Sequence, residues 1–231
     1  MNTIRNYFKT PANSIIITLT VLVFIIELIL SRNAVVVDLN VLIDMGGKFN
    51  PLIDDGQYLR FFAPIFLHSG WFHLVSNMIT LYFIGAAAER QFGTPKFLSI
   101  YLISGIIGNV FSYLFNSNAD YLVVSVGAST AIFGVFGMLI MYGMLFWNQN
   151  AVRVQTTTFL IFVGWSIFTQ INSATIDIWG HIGGLVGGFL LAFVYGFKNP
   201  DDSKRIMPIQ RYVAIGALIL IFFVVFMVVR P

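Results

Sequence analysis

Hydrophobic residues in this chain come in long blocks, and the polar positions gather in the gaps between them. Seven apolar segments stand out, at about 14–30, 71–88, 97–115, 126–146, 158–171, 178–197 and 212–229. Most approach the roughly 20 residues that a helix needs to cross the hydrocarbon core of a bilayer, so each predicts a membrane-spanning helix. The fifth is short and has polar ends. The apolar stretch 61–67 is too short to span and contains Pro64, which suits an interfacial or re-entrant piece. The polar stretch 199–210 separates the last segment from the first six. The expected fold class is therefore an all-α membrane protein: residues 1–13 as a cytoplasmic tail, 14–197 as a six-helix bundle, and 198–231 as a linker with one additional C-terminal transmembrane helix.

Composition agrees with lipid as the solvent. The 231 residues are 58% hydrophobic and 10% charged, where soluble domains average about 25% charged. The net charge is +3, but the basic residues are scattered between apolar blocks without an aromatic-laced stripe, which argues against nucleic acid as a partner. There is no cysteine, which excludes disulfides and thiolate chemistry. Arg5 and Lys9 precede the first segment as in a signal peptide, but no small-residue cleavage site follows, so a retained helix is expected. With the N-terminus in the cytoplasm, nine basic residues (Arg5, Lys9, Arg90, Lys96, Arg153, Lys198, Lys204, Arg205 and Arg211) fall inside. Four (Arg32, Lys48, Arg60 and Arg230) fall outside, as the positive-inside rule requires.

In that orientation the second, fourth and sixth segments all begin on the outer side. His73 and Asn77 lie in the first turns of the second, Ser129 in the fourth, and His181 near the start of the sixth. At 1.5 Å per residue, all four sit within roughly 10 Å of the outer helix ends. Three helices can thus bring a hydroxyl, an imidazole and an amide to one point. Serine becomes a nucleophile when a base takes its proton, and histidine titrates near neutrality, which suits it to that role. The backbone N–H of Ser129 at a helix start, with the Asn77 amide and the His73 ring one turn apart, can donate to an oxyanion. Glycines on the fourth segment (Gly127, Gly134, Gly137) and the sixth (Gly180, Gly183, Gly184, Gly187, Gly188) allow two membrane helices to approach closely.

Gly127-Ala128-Ser129-Thr130-Ala131-Ile132-Phe133-Gly134 resembles the nucleophile motif of the rhomboid family. His181-Ile182-Gly183-Gly184 through Gly188 resembles its His-x-x-Gly-x-x-x-Gly helix, and His73 with Asn77 resembles its His-x-x-x-Asn pattern. Glu89 through Gly93 is similar to the Glu-x-x-x-Gly turn that follows, and Tyr58-Leu59-Arg60 falls where the family has an aromatic–Arg pair. The resemblance covers about residues 57–197. It implies an intramembrane serine endopeptidase with a Ser129–His181 dyad and no acidic third member, acting on transmembrane protein substrates. It also implies that Phe133 packs on the catalytic imidazole, and that one helix is added to the six-helix core. No cofactor or metal is expected, and the oligomeric state is left open. A multi-pass protein of a bacterial cell membrane, with its active site opening to the extracytoplasmic side, fits this picture.

Thr130 departs from the family, which usually has glycine there. A catalytically inactive relative that binds membrane proteins is therefore the alternative reading. For Thr130 itself, a methyl turned away from the Ser129–His181 line and a hydroxyl bonded one turn back are expected. Ser76, Ser99, Ser104, Ser112 and Ser166 are expected to bond their own helix backbones. Asp177 reads as a helix N-cap or loop charge rather than a triad member. Glu27 is expected to reach the membrane interface, and His68 to anchor a loop. Glu89 and Arg90 read either as a solvated ion pair or as supports of the Gly93 turn.

Overall fold

The computed structural model describes residues 10–115, 122–171, 177–196 and 208–228. Arg5, Lys9, Lys198, Lys204, Arg205, Arg230, most of the 1–13 tail and of the 199–210 linker, and the helix ends expected at Phe197 and Val229 lie outside the described residues. Among the described residues seven long helices follow in order: α1 (Pro11–Ser31), α4 (Trp71–Phe92), α5 (Thr94–Phe115), α6 (Ser129–Leu145), α7 (Asn150–Gln170), α8 (Ile178–Tyr195) and α9 (Pro208–Val228). Two short helices, α2 (Leu39–Asp44) and α3 (Asn50–Asp54), and two 3₁₀ turns, Tyr58–Phe61 and Ala63–Phe66, fold the loop between α1 and α4. Among the described residues there is no strand, only the isolated bridges Val36–Gly70 and Lys48–Ser125. Among the described residues five helices (α1, α4, α5, α7 and α8) are long and apolar enough to cross a membrane, so this is a multi-pass membrane protein.

The centre of the bundle is α6, packed against α5 and α8. Nearly every side chain of α6 is buried, from Thr130 through Met141. Glycines make this possible. A Cβ on Gly184 would overlap the Thr130 carbonyl, one on Gly188 the Gly134 carbonyl, and one on Gly137 the Leu185 carbonyl. Backbones therefore meet directly across α6 and α8, the close packing that small residues permit in a bilayer.

The apolar blocks locate each helix; α1, α5 and α9 start three or four residues early, and the starts of α7 and α6 have physical reasons. Helix α7 begins at Asn150, eight residues before the fifth apolar segment. The polar residues Gln155, Thr156 and Thr157 end the hydrophobic run but not the helix, because backbone hydrogen bonding is indifferent to where hydrocarbon stops. Helix α6 begins at Ser129, and Val126–Gly127–Ala128 form its non-helical approach. The stretch 61–67 turns in 3₁₀ steps around Pro64, too short to span.

At the end of the bundle away from Ser129, Glu89 settles between its two readings. It is buried, and its carboxylate accepts from the backbone N–H of Ala12 at 3.0 Å and of Asn13 at 2.7 Å, and from the Thr94 hydroxyl at 2.6 Å. It thus satisfies orphan donors at the start of α1 while its negative charge faces the positive end of that helix. Arg90 is exposed. Within α4 a π turn at Leu81–Gly85 interrupts the α-helical ladder, and the Asn13 amide donates to Leu81 O at 3.0 Å.

Candidate active site

At the opposite end, the approach to α6 is pinned before the helix starts. Gly127 N–H donates to Pro64 O at 2.9 Å, and Lys48 and Ser125 exchange backbone hydrogen bonds at 3.0 Å. Gly127 has φ +131°, a left-handed backbone that a side chain tolerates poorly. A Cβ there would lie 2.6 Å from His73 Nε2 and 3.5 Å from Ser129 Oγ. The missing side chain leaves a small space onto which His73, from α4, and Ser129, from α6, both open.

Ser129 Oγ lies 2.8 Å from Nε2 of His181, which is carried by α8. The Phe133 ring, one turn after Ser129, stacks on the His181 ring with centroids 4.3 Å apart and planes within 2°. The other ring nitrogen, Nδ1, lies 2.6 Å from Oε1 of Gln170 at the end of α7. His181 is therefore held on both nitrogens and one face. Sequence reading did not find Gln170. Its only local signal is an amide at the polar end of an otherwise apolar segment.

His73 Nδ1 is 3.2 Å from Ser69 Oγ. Asn77, on the same helix, is buried with its Nδ2 3.0 Å from His68 Nε2. With the amide donating, His68 Nε2 accepts, and one N–H of the Asn77 amide is left over. His68 is fully buried, and burial, reinforced by nearby His73, pushes it down to about 3, so the ring is neutral. Its backbone N–H donates to the Glu27 carboxylate at 3.2 and 3.3 Å. This corrects the expectation for Glu27: it is buried and fastens the loop before α4 instead of reaching the interface.

Asp177 caps α8, its Oδ1 accepting from Gly180 N–H at 3.0 Å. Its other oxygen accepts from the Ser112 hydroxyl, and the fully buried Lys48 ammonium lies 3.7 Å away. Ser76, Ser99 and Ser104 do bond their own helix carbonyls. Ser112 and Ser166 pair beyond their own backbones: the first joins Lys48 to Asp177, and the second accepts from the Gln170 amide at 2.7 Å. Thr130 is buried, with its methyl towards Gly180 and its Cβ towards Gly108. Its hydroxyl has no hydrogen-bond partner among the described residues, contrary to the expected bond one turn back. The slot between the two glycines sets the rotamer.

A bundle closed by glycine contacts, with a serine and a histidine meeting across two of its helices, defines a polytopic membrane protein built around a hydroxyl–imidazole pair. The Rhomboid domain family model matches residues 55–198, and the chain belongs to the rhomboid family. It is 36% identical over 176 residues to Rhomboid protease GluP of Bacillus subtilis (strain 168), covering 76% of this chain and 34% of that one. It is 35% identical over 187 residues to Rhomboid-like protease 1 of Toxoplasma gondii, covering 78% and 61%. Over 146 residues it is 35% identical to Putative rhomboid protease YdcA of Bacillus subtilis, covering 63% and 71%. The chain thus spans less than two thirds of the first two relatives.

Proposed function

We propose that this chain is an intramembrane serine endopeptidase that cleaves transmembrane protein substrates near the outer part of the bilayer. The observation that carries the proposal is the 2.8 Å contact between Ser129 Oγ and His181 Nε2, made across two helices whose backbones touch. In the reaction, Ser129 Oγ attacks the scissile carbonyl carbon while His181 Nε2 takes its proton. The developing oxyanion accepts from the Ser129 N–H, which as the first residue of α6 has no intrahelical acceptor, and from His73 and Asn77. His181 then protonates the leaving amine. Water, deprotonated by the same ring, opens the acyl-enzyme and returns the proton to Ser129. Phe133 holds the ring plane, and Gly127, Gly184 and Gly188 give the closeness the pair needs.

The relatives named as rhomboid proteases support this reading. The remaining parts of the proposal are a cell-membrane location, a cytoplasmic N-terminus and a site opening to the extracytoplasmic side. The domain division is a tail at 1–13, a catalytic core at 14–197, and a linker with a seventh span at 198–231. The inactive-relative reading rests on Thr130, whose side chain points to Gly108 and Gly180 and not to the Ser129–His181 contact.

The test is labelling of the purified protein by a serine-directed fluorophosphonate, together with cleavage of a model transmembrane substrate. Wild type is expected to label and cleave, and Ser129→Ala and His181→Ala to do neither while remaining folded. A wild type that neither labels nor cleaves, yet gains Ser129-dependent cleavage on Thr130→Gly, would establish the disabled relative instead.

A further inference from the structure

The His181 ring has two nitrogens, and only one tautomer can serve as a base toward Ser129. Nε2 must carry the lone pair, so Nδ1 must carry the hydrogen. Something has to accept that hydrogen. Asp177, the acid nearest in sequence, is committed to the α8 N-cap, to Ser112 and to the neighbourhood of Lys48. The acceptor within reach is the Gln170 side-chain oxygen, 2.6 Å from Nδ1. Gln170 is itself nearly buried, and its amide nitrogen donates to Ser166 Oγ at 2.7 Å, one turn back on α7. The chain of donors then runs in one direction: Ser129 hydroxyl to Nε2, Nδ1–H to the Gln170 oxygen.

We propose that Gln170 is the positioning residue of His181, an uncharged amide that selects the Nδ1–H tautomer and fixes the ring against Ser129. This rests on the protease reading above and adds a third member to its dyad, drawn from a different helix. An amide suits the place. A carboxylate so deeply buried would carry a large desolvation cost, whereas a neutral amide accepts the same hydrogen without it. Serine proteases with an Asp in this position show the general logic: the orienting group sets the tautomer without taking the proton itself. Among the described residues this is the one hydrogen bond between α7 and α8. Helix α7 otherwise touches the bundle mainly through α6 and exposes most of its side chains. The register of α7 therefore reaches the reacting groups through Gln170.

The experiment compares full-length wild type, Gln170→Met and Gln170→Glu on one transmembrane substrate, reading kcat, KM, melting temperature and fluorophosphonate labelling. Methionine keeps the length and removes the acceptor; glutamate, held protonated by the same burial, keeps a carbonyl oxygen that accepts from Nδ1–H without a buried charge. Gln170→Met is expected to lower kcat by about 10- to 100-fold, the scale of losing alignment of one reacting group, with KM changed by less than about threefold. Gln170→Glu is expected to recover kcat to within about tenfold of wild type, a rescue that a purely structural role would not predict. If Gln170→Met does not fold, Gln170→Asn takes its place: it keeps the amide one methylene short of His181 and must also slow kcat. A folded Gln170→Met with wild-type kcat, or a Gln170→Glu as slow as Gln170→Met, overturns the role of Gln170 and leaves the Ser129 chemistry standing. A wild type that neither labels nor cleaves overturns both.

Discussion

At the scale of single residues, two positions on the approach to α6 carry sharp consequences. Gly127 combines a positive φ with a Cβ position that would fall on the His73 ring. Gly127→Ala must strain the backbone and push His73 away. The expected result is a loss of about 1–3 kcal/mol in stability, the usual scale for a forced backbone conformation, with cleavage abolished. Wild-type turnover in this variant would show that the space shared by His73 and Ser129 is not used. Thr130 is the opposite case. Its orphan buried hydroxyl is a liability, while its methyl fills the slot between Gly108 and Gly180. Thr130→Val keeps the shape and removes the unpaired group, so it should raise stability by about 1 kcal/mol and leave cleavage within a few-fold. Thr130→Gly should change cleavage by less than about tenfold and lower the melting temperature, because glycine empties the slot and is a poor helix former. Melting curves of the three proteins in one detergent would decide the order.

At the scale of elements, the start of α8 is where His181 is aimed, and Asp177 holds that start. It caps the helix through Gly180 and stands beside a fully buried ammonium whose own backbone pairs with Ser125, just before α6. Lys48 and Asp177 thus join the two segments that carry the serine and the histidine. Asp177→Asn preserves the cap but removes the carboxylate beside a buried charge, which costs about 3 kcal/mol in comparable pairs. The double variant Lys48→Met/Asp177→Asn should be more stable than Asp177→Asn alone, since the buried ammonium that lost its neighbouring carboxylate is gone. In either protein the folded fraction should keep most of its activity. An Asp177→Asn protein that is stable but as inactive as His181→Ala would make Asp177 a member of the catalytic set.

At the scale of the whole molecule, orientation and pH response can each be measured. The chain has no cysteine, so single cysteines report without background. Exposed Asp55 belongs to the loop between α1 and α4, whose Pro64, His68 and Ser69 bond to Gly127, Asn77 and His73, and exposed Asn148 lies between α6 and α7 at the other end. With the proposed topology, Asp55→Cys should react with a membrane-impermeant maleimide in intact cells and Asn148→Cys only after lysis. The reverse pattern would invert the protein. The pH response follows from His68. Its folded-state value is depressed from 6.5 to about 3, so the unfolded chain binds a proton that the folded one refuses. The stability this group contributes is complete above pH 6.5 and is lost as pH falls towards 3. Between pH 7 and pH 5 the loss from this one ring is about 2 kcal/mol. His68→Gln should therefore show a shallower fall in melting temperature over that interval; an unchanged slope would mean that His68 takes up its proton without unfolding.

The positions of the long helices were legible in the chain because hydropathy is a local property: each apolar block must span lipid whatever its neighbours do. Depth was legible for the same reason. Once the blocks alternate in direction, Ser129, His181, His73 and Asn77 are confined to one end, and glycines on two blocks mark the helices that can touch. Polar pairing is not local, and the tertiary structure decided it. Glu27 meets the backbone of His68 across 41 residues, Lys48 reaches Ser112 across 64, and Glu89 caps α1 across 77. No spacing rule announces such partners, because a buried polar group takes whichever donor or acceptor the packing brings within 3 Å. Gln170 shows the difference most plainly. In the sequence it is an amide at the polar end of the shortest segment; in the folded bundle the crossing of α7 and α8 sets its oxygen 2.6 Å from the imidazole it is proposed to orient.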